Sequence, residues 1–120
     1  MKTLTIGFII TIALGLSACG WSPSVKPVQI TEPWASMGLP VKENAVVWAS
    51  TDKQFKAAHK EDKKTIMTKY VDALKAKGWQ IEKLDDKSGN IIWIDMAKGS
   101  EKIQIQVYDF ENTGVIIDKQ

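Results

Sequence analysis

The stretch "NIIWIDMAKGSEKIQIQVYDF", residues 90–110, decides the fold because apolar and polar residues alternate on both sides of a short polar segment. Alternation with a period of two is typical of β-strands that bury one face. The polar segment around Gly99 is long enough only for a tight turn, so the two strands must pair antiparallel. This stretch therefore predicts a β-hairpin at the centre of an antiparallel sheet.

The hydrophobic pattern also predicts a register for this hairpin. A turn centred on Lys98-Gly99 would place Ile94 opposite Ile103 on the buried face. It would also place Asp95 opposite Lys102 on the other face, where an opposite-charge pair stabilises neighbouring strands. A shift by one residue would move every side chain to the wrong face, so we expect this pairing.

The segments around the hairpin predict one helix and further strands. Apolar residues between Ile66 and Leu74 recur on one helical face and Gly78 follows them, which predicts a helix over 61–77. Thr51 and Gln54 have the spacing of a capping box, which predicts a short helical turn after residue 51. Strands are predicted at 44–50, 79–84, 90–97, 102–110 and 114–118.

These elements predict an α+β fold with the order β-α-β-β-β-β in residues 44–120. We expect a two-layer sandwich, in which one main helix covers one face of a four- to five-stranded antiparallel sheet. The covered face would carry the large apolar residues Trp79, Ile81, Ile92, Ile94, Ile103, Ile105 and Val107.

The opposite face of the sheet has an unusual composition for a surface in water. Trp93 and Tyr108 lie there among the amides Gln104 and Gln106, a mixture that suits contact with peptides, glycans or proteins. Two interpretations stay open: the proline-rich N-terminal segment that contains Trp34, or another local segment, covers this face, or the face is a recognition surface. Trp34 is itself a candidate binding residue, and an unpaired edge strand would offer a second docking route by strand addition.

The first 18 residues have the composition of a secretory signal. Lys2 supplies a positive charge, and an apolar stretch without charges runs from Leu4 to Leu16 before small residues. At about 1.5 Å per residue this stretch spans about 20 Å as a helix, which is short of the bilayer core of about 30 Å. We therefore expect residues 1–18 to be a cleaved signal peptide rather than a membrane anchor.

The residues "LSAC" (16–19) contain the only cysteine of the chain and resemble the lipobox of bacterial lipoproteins. The resemblance implies that Cys19 becomes the mature N-terminus and carries a diacylglycerol, usually with an added N-acyl chain. Two or more acyl chains anchor a protein stably in a membrane. Gly20 stands where an Asp would resemble an inner-membrane retention signal, so we expect an outer-membrane anchor that faces the periplasm. In an envelope with a single membrane, the protein would lie on the outer face of the plasma membrane.

All four prolines lie between residues 23 and 40. Because proline disfavours long helices and interior strands, we expect residues 19–43 to form a lipidated, semi-extended tether ahead of the domain at 44–120. Trp34, Met37 and Leu39 form an apolar cluster in this tether. The cluster would either fold back onto the domain or dock a partner.

Composition argues against several kinds of chemistry. Without Lys2 the chain has 15 lysines and 14 acidic residues, and it has no arginine, whereas nucleic-acid binding needs a positive face and usually arginine. His59 is the only histidine, and we expect it on the surface. The segment "DDKSGN" (85–90) lacks the acid spacing of a calcium loop. We therefore expect no nucleic acid partner, no enzymatic activity, no cofactor and no metal.

Two classes of function remain. The first is a lipid-anchored, non-enzymatic binding or accessory module for a protein or another envelope component. The second is a periplasmic inhibitor or immunity lipoprotein against a hydrolase or toxin. In that case the 85–90 loop would be the blocking element, with Asp85 and Asp86 at its tip.

Overall fold

A computed structural model of the chain describes residues 23–87 and 89–120. The expected signal peptide and Cys19 lie outside the described residues. The described part forms one six-stranded antiparallel sheet, one α-helix, α1, and a short 3-10 helix at Trp34–Ser36. In chain order the elements are β1 (Ala45–Ser50), β2 (Gln54–His59), α1 (Lys63–Ala76), β3 (Gln80–Asp85), β4 (Ile92–Lys98), β5 (Glu101–Tyr108) and β6 (Thr113–Lys119). The strands lie side by side in the order β1-β2-β6-β5-β4-β3.

The expected α+β class and single main helix are confirmed, but the expected strand count and element order are wrong. Residues 54–59 form β2 instead of a helical turn, which gives six strands and the order β-β-α-β-β-β-β. The Thr51 hydroxyl accepts a hydrogen bond from the Gln54 amide at 3.0 Å, which is the bond that a helix cap would make. Here the Thr51 amide also donates to the Gln54 carbonyl at 2.9 Å, so the same spacing closes a two-residue hairpin turn.

The predicted helix has the expected face and the expected end. Its buried residues are Ile66, Tyr70, Val71 and Leu74. Gly78 has a φ of +97°, and its amide donates to the Lys75 carbonyl while the Trp79 amide donates to the Leu74 carbonyl. These two bonds form a Schellman motif, which needs a positive φ where glycine fits best.

The central hairpin has the predicted faces but a different register. Ile94 pairs with Ile105, and Asp95 pairs with Gln104 rather than with Lys102. The shift is two residues, so it keeps every side chain on its predicted face. Its cause is the turn, which is centred on Gly99-Ser100 because Gly99 has a φ of +63°. A positive φ at the first central position is the requirement of a type II′ turn, where glycine is favoured.

The covered face of the sheet, which packs against α1, carries the hydrophobic core. All seven predicted apolar residues lie in this core or against it, and α1 packs mainly on β5 and β3. Trp34, Met37 and Leu39 belong to the same core. The folded body therefore includes part of the segment that the sequence predicts to be a tether.

The described residues contain no helix that is long and apolar enough to cross a membrane.

Candidate recognition face

Four of the five predicted binding residues lie together on the open face, which we define as the face of the sheet away from α1. Gln104, Gln106 and Tyr108 alternate along β5, and Trp93 on β4 pairs directly with Gln106. All four side chains are half-buried. Among the described residues no helix or strand packs on this face, so each of these side chains keeps part of its surface accessible.

Trp34 lies elsewhere, and its side chain has no exposed surface. Its ring packs 5.9 Å from that of Phe55, centroid to centroid. Its indole N–H donates to the Thr51 carbonyl at 2.5 Å, which satisfies the one polar atom of the side chain. Trp34 thus closes the core on the covered face, and it neither shields the open face nor contributes to it.

A row of polar side chains crosses the open face from β3 to β2. Cross-strand pairing aligns Lys83, Asp95, Gln104, Asp118 and Gln54. The Gln104 amide donates to the Asp95 carboxylate at 3.2 Å, and the Gln54 amide donates to the Asp118 carboxylate at 2.8 Å. Each amide is thereby held in one orientation, with its carbonyl oxygen directed away from its carboxylate partner. This row presents oriented amide and carboxylate groups to a ligand.

Beside this row lies a shallow depression of about 260 Å³, lined by Lys83, Asp85, Trp93, Asp95 and Gln104. Trp93 supplies an aromatic surface, and the other four supply charged or amide groups. Such a combination gives a ligand an apolar contact and several hydrogen bonds at once.

An aromatic cluster of Trp48, Tyr108 and Phe110 occupies the end of the open face nearest the β5–β6 turn. Phe110 packs 5.5 Å from Trp48 and 5.9 Å from Tyr108, centroid to centroid. The Lys56 ammonium lies 4.9 Å from the centre of the Trp48 ring, within the range of a cation–π interaction. The Trp48 indole nitrogen is buried and has no hydrogen-bond partner among the described residues.

Gly114 makes the packing of this cluster possible. A Cβ atom at position 114 would lie 2.6 Å from the Tyr108 ring and 2.9 Å from the Phe110 Cβ atom. Partial burial also raises the pKa of Tyr108 above its usual value of 10. The Tyr108 hydroxyl therefore stays protonated at neutral pH and can donate a hydrogen bond.

His59 is buried, and the expected surface position is wrong. The residue is the last of β2 and faces α1, where its Nε2 lies 2.6 Å from the Tyr70 hydroxyl. Its Nδ1 has no partner among the described residues. The His59 pKa is lowered from 6.5 to about 4, and burial is the main cause. The charge of Glu61 opposes this shift and the charge of Lys69 contributes to it. His59 is therefore neutral at pH 7 and is closed off from any substrate on the surface.

Asp85 lies on the open face instead of at the tip of the 85–90 loop. It is the last residue of β3 and pairs with Trp93, because β3 continues one residue beyond the predicted strand. Its carboxylate accepts a hydrogen bond from the Lys87 amide at 3.1 Å. Of the two acids expected at the tip, only Asp86 follows the strand.

The two edges of the sheet differ in how far they could pair with another strand. The Val28 amide donates to the Val47 carbonyl at 2.9 Å, so the N-terminal segment partly covers the edge at β1. The edge at β3 carries the exposed charges Glu82 and Lys83 and an irregularity between Ile81 and Lys83. Charges and bulges are features that protect an edge from strand addition.

The part of the open face that β2 supplies is not predicted from the sequence. Gln54, Lys56 and Ala58 alternate with the covered residues Phe55, Ala57 and His59. This alternation was the available signal, but the short alanine side chains weaken it and the capping spacing at Thr51 outweighed it.

Comparison with protein-family models, with curated proteins and with solved structures returned no match. In the described ranges, no group of three or more His, Cys, Asp and Glu side chains is placed to hold a metal ion.

Proposed function

We propose that this protein is a lipid-anchored lipoprotein of the bacterial envelope and that it acts as a non-enzymatic binding or accessory module. The observation that carries the proposal is the convergence of Trp93, Gln104, Gln106 and Tyr108 on one half-buried face. The lipobox-like residues at 16–19 support the anchor on Cys19 and the outer-membrane, periplasm-facing location.

The chemistry of the open face supports binding more than catalysis. Two of its carboxylates, Asp95 and Asp118, are each paired with a glutamine amide, and the chain's one histidine is buried on the other face. Paired, oriented groups of this kind suit a ligand that is recognised by several hydrogen bonds around an aromatic contact. The partner would be a protein or another component of the envelope.

Site-specific photocrosslinking in intact envelopes tests the binding role. A photoreactive residue at Gln106 should give a discrete adduct that is absent when the same residue replaces Lys75, which is exposed on α1. Trp93→Ala should abolish the adduct at position 106. Equal crosslinking from both positions, or none from either, would count against a specific binding face.

The role of an inhibitor or immunity lipoprotein receives less support from the structure. Asp85 belongs to the open face, so the 85–90 loop presents one acid fewer at its tip than the sequence predicts. Deletion strains challenged with lysozyme or with toxin-producing competitors distinguish the two roles. Unchanged survival is expected for an accessory module, and increased killing would favour the inhibitor.

A further inference from the structure

The N-terminal segment is attached to the body well before the core residue Trp34. The Thr31 amide donates to the Ser50 hydroxyl at 2.9 Å, and the Val28 amide bonds to β1. Among the described residues, the most N-terminal hydrogen bonds to the body are at Ser24, whose amide donates to the Glu111 carboxylate at 2.9 Å and whose hydroxyl donates to the same oxygen. We call residues 24–31 the strap.

The strap leaves the body at one defined end. Glu111 lies in the turn between β5 and β6, and the neighbouring Asn112 side chain donates to the Lys60 carbonyl at the end of β2. The other end of the sheet carries the β4–β5 turn at Gly99-Ser100. The eight residues of β5 that separate the two ends rise about 27 Å.

The anchor point of the strap is rigid. Phe110, next to Glu111, packs on Trp48 and Tyr108, so the turn is fixed to the open face. Glu111 has a φ of +54°, a left-handed conformation that is uncommon for residues other than glycine, asparagine and aspartate. Strain of this kind persists where the surrounding structure imposes it, and in this turn it accompanies a carboxylate that holds Ser24. The two hydrogen bonds from Ser24 also lower the Glu111 pKa, so the carboxylate is charged at neutral pH.

Chain length then limits how far the body can move from an anchor on Cys19. Ser24 follows Cys19 by five positions, which span at most about 17 Å when fully extended. The next hydrogen bond from the described strap to the body is at Val28, nine positions from Cys19, which corresponds to a reach of about 31 Å. The contact between Ser24 and Glu111 therefore almost halves this upper limit on the reach.

We propose that the strap holds the protein close to the bilayer with the β5–β6 turn facing the lipid headgroups, so that the open face stands along the membrane normal with its aromatic cluster nearest the membrane. This inference rests on the proposed lipid anchor at Cys19. The charges near this end are mixed: Lys60 and Lys63 lie beside Glu61 and Asp109, and Lys63 pairs with Asp109 at 3.1 Å. Chain length rather than charge therefore sets the orientation, and added salt should not change it.

The test uses the full lipidated protein in phosphatidylcholine vesicles that contain a lipid with a spin-labelled headgroup. A dye is attached at Lys60→Cys near the β5–β6 turn or at Ser100→Cys at the far end; both positions are exposed. The headgroup label should quench the dye at position 60 several-fold more than the dye at position 100, at low and at high salt. Equal quenching of the two dyes would overturn the proposal.

Glu111→Gly is the most informative variant because it removes the carboxylate and also relaxes the backbone. It should keep or raise the melting temperature of the body while it brings the two dyes closer to equal quenching. Ser24→Ala removes the hydroxyl hydrogen bond to Glu111 and keeps the amide one, so it should act in the same direction with a smaller effect and without changing the turn. The matched control is Asn112→Gly, which lies in the same turn at a φ of +115° and should preserve the quenching ratio.

The proposed lipid anchor and the proposed role of the strap can be disproved separately. If mass spectrometry shows acyl chains on the protein but the quenching ratio is unchanged by Glu111→Gly and Ser24→Ala, the strap is wrong and the anchor stands. If the purified protein carries no acyl chains and does not bind the vesicles, the anchor is wrong and the orientation falls with it.

Discussion

Neighbouring residues of the single sheet lie on two faces that differ in burial and chemistry. On β5 the Ile105 side chain is fully buried under α1, while the next residue, Gln106, is half-buried on the open face beside Trp93. The covered face is apolar apart from a few groups such as the His59–Tyr70 pair. The open face combines amides, carboxylates and aromatic rings. The difference indicates that the covered face supplies the stability of the fold, which leaves the open face available for recognition.

The largest difference between the faces should appear on β5. Ile105→Ala removes a fully buried side chain and leaves a cavity, so it should lower the free energy of unfolding by about 2–5 kcal/mol. Gln106→Ala, one residue away, should change it by less than about 0.5 kcal/mol. Urea denaturation followed by circular dichroism measures both, and similar losses at the two positions would contradict the division between the faces.

The polar pair of the covered face should make stability depend on pH. Because burial lowers the His59 pKa from 6.5 to about 4, the unfolded chain binds a proton more readily than the folded one. Neutral His59 therefore makes its full contribution to the free energy of unfolding above pH 6.5. This contribution declines as the pH falls toward 4, and the total loss should amount to about 3 kcal/mol.

Carboxylates also titrate in the lower part of this range, so the contribution of His59 needs a reference. The difference between the chain and its His59→Gln variant isolates it, measured as the midpoint of urea unfolding from pH 7.5 to 4. A pH profile that is the same in both proteins would show that His59 is not the responsible group.

Gly114→Ala tests whether the open face contains one tightly packed region. The new methyl group would overlap the Tyr108 ring and Phe110, and overpacking of this kind typically destabilises by about 1–3 kcal/mol. Gly89→Ala is a useful comparison, since a Cβ there meets nothing within 4 Å, and its φ of +76° makes backbone strain its only cost. A loss at position 114 no greater than that at 89 would argue against the aromatic cluster.

Trp93→Ala should combine a small effect on stability with the largest effect on binding. Trp93→Ala removes a half-buried side chain at the rim of the depression and should lower stability by only about 1 kcal/mol, while the crosslinked adduct at Gln106 disappears. Loss of the adduct with retained stability separates recognition from folding. A variant that loses both would place Trp93 with the core residues instead.

The patterns that predict the fold correctly are those set by local physics. The 3.6-residue period from Ile66 to Leu74 and the glycine at 78 define α1 to within two residues at either end. The alternation in 90–110 assigns the correct face to every residue of the central hairpin. It could not assign partners, because pairings two residues apart have the same faces, and the choice between them depends on the backbone angles of Gly99.

The wrong predictions concern residues whose structure depends on contacts with other elements of the fold. The hydrogen bond from the Gln54 amide to the Thr51 hydroxyl is common to a helix cap and to the hairpin turn, and pairing of residues 54–59 with both β1 and β6 selects the strand. Burial of His59 depends on Tyr70 in α1, and burial of Trp34 depends on Phe55 in β2. For the candidate site, the sequence predicts four residues that the structure brings together, and it misses Gln54 and Lys56 because they lie on β2, which the sequence does not predict.

The most direct test of the account is the intact mass of the protein purified in detergent from the membranes of the cells that make it. We predict a chain that lacks residues 1–18 and whose first residue, Cys19, carries a diacylglycerol and an added acyl chain. A mass that matches the uncleaved chain, or a chain with an unmodified thiol at position 19, would contradict the membrane anchor and every orientation derived from it.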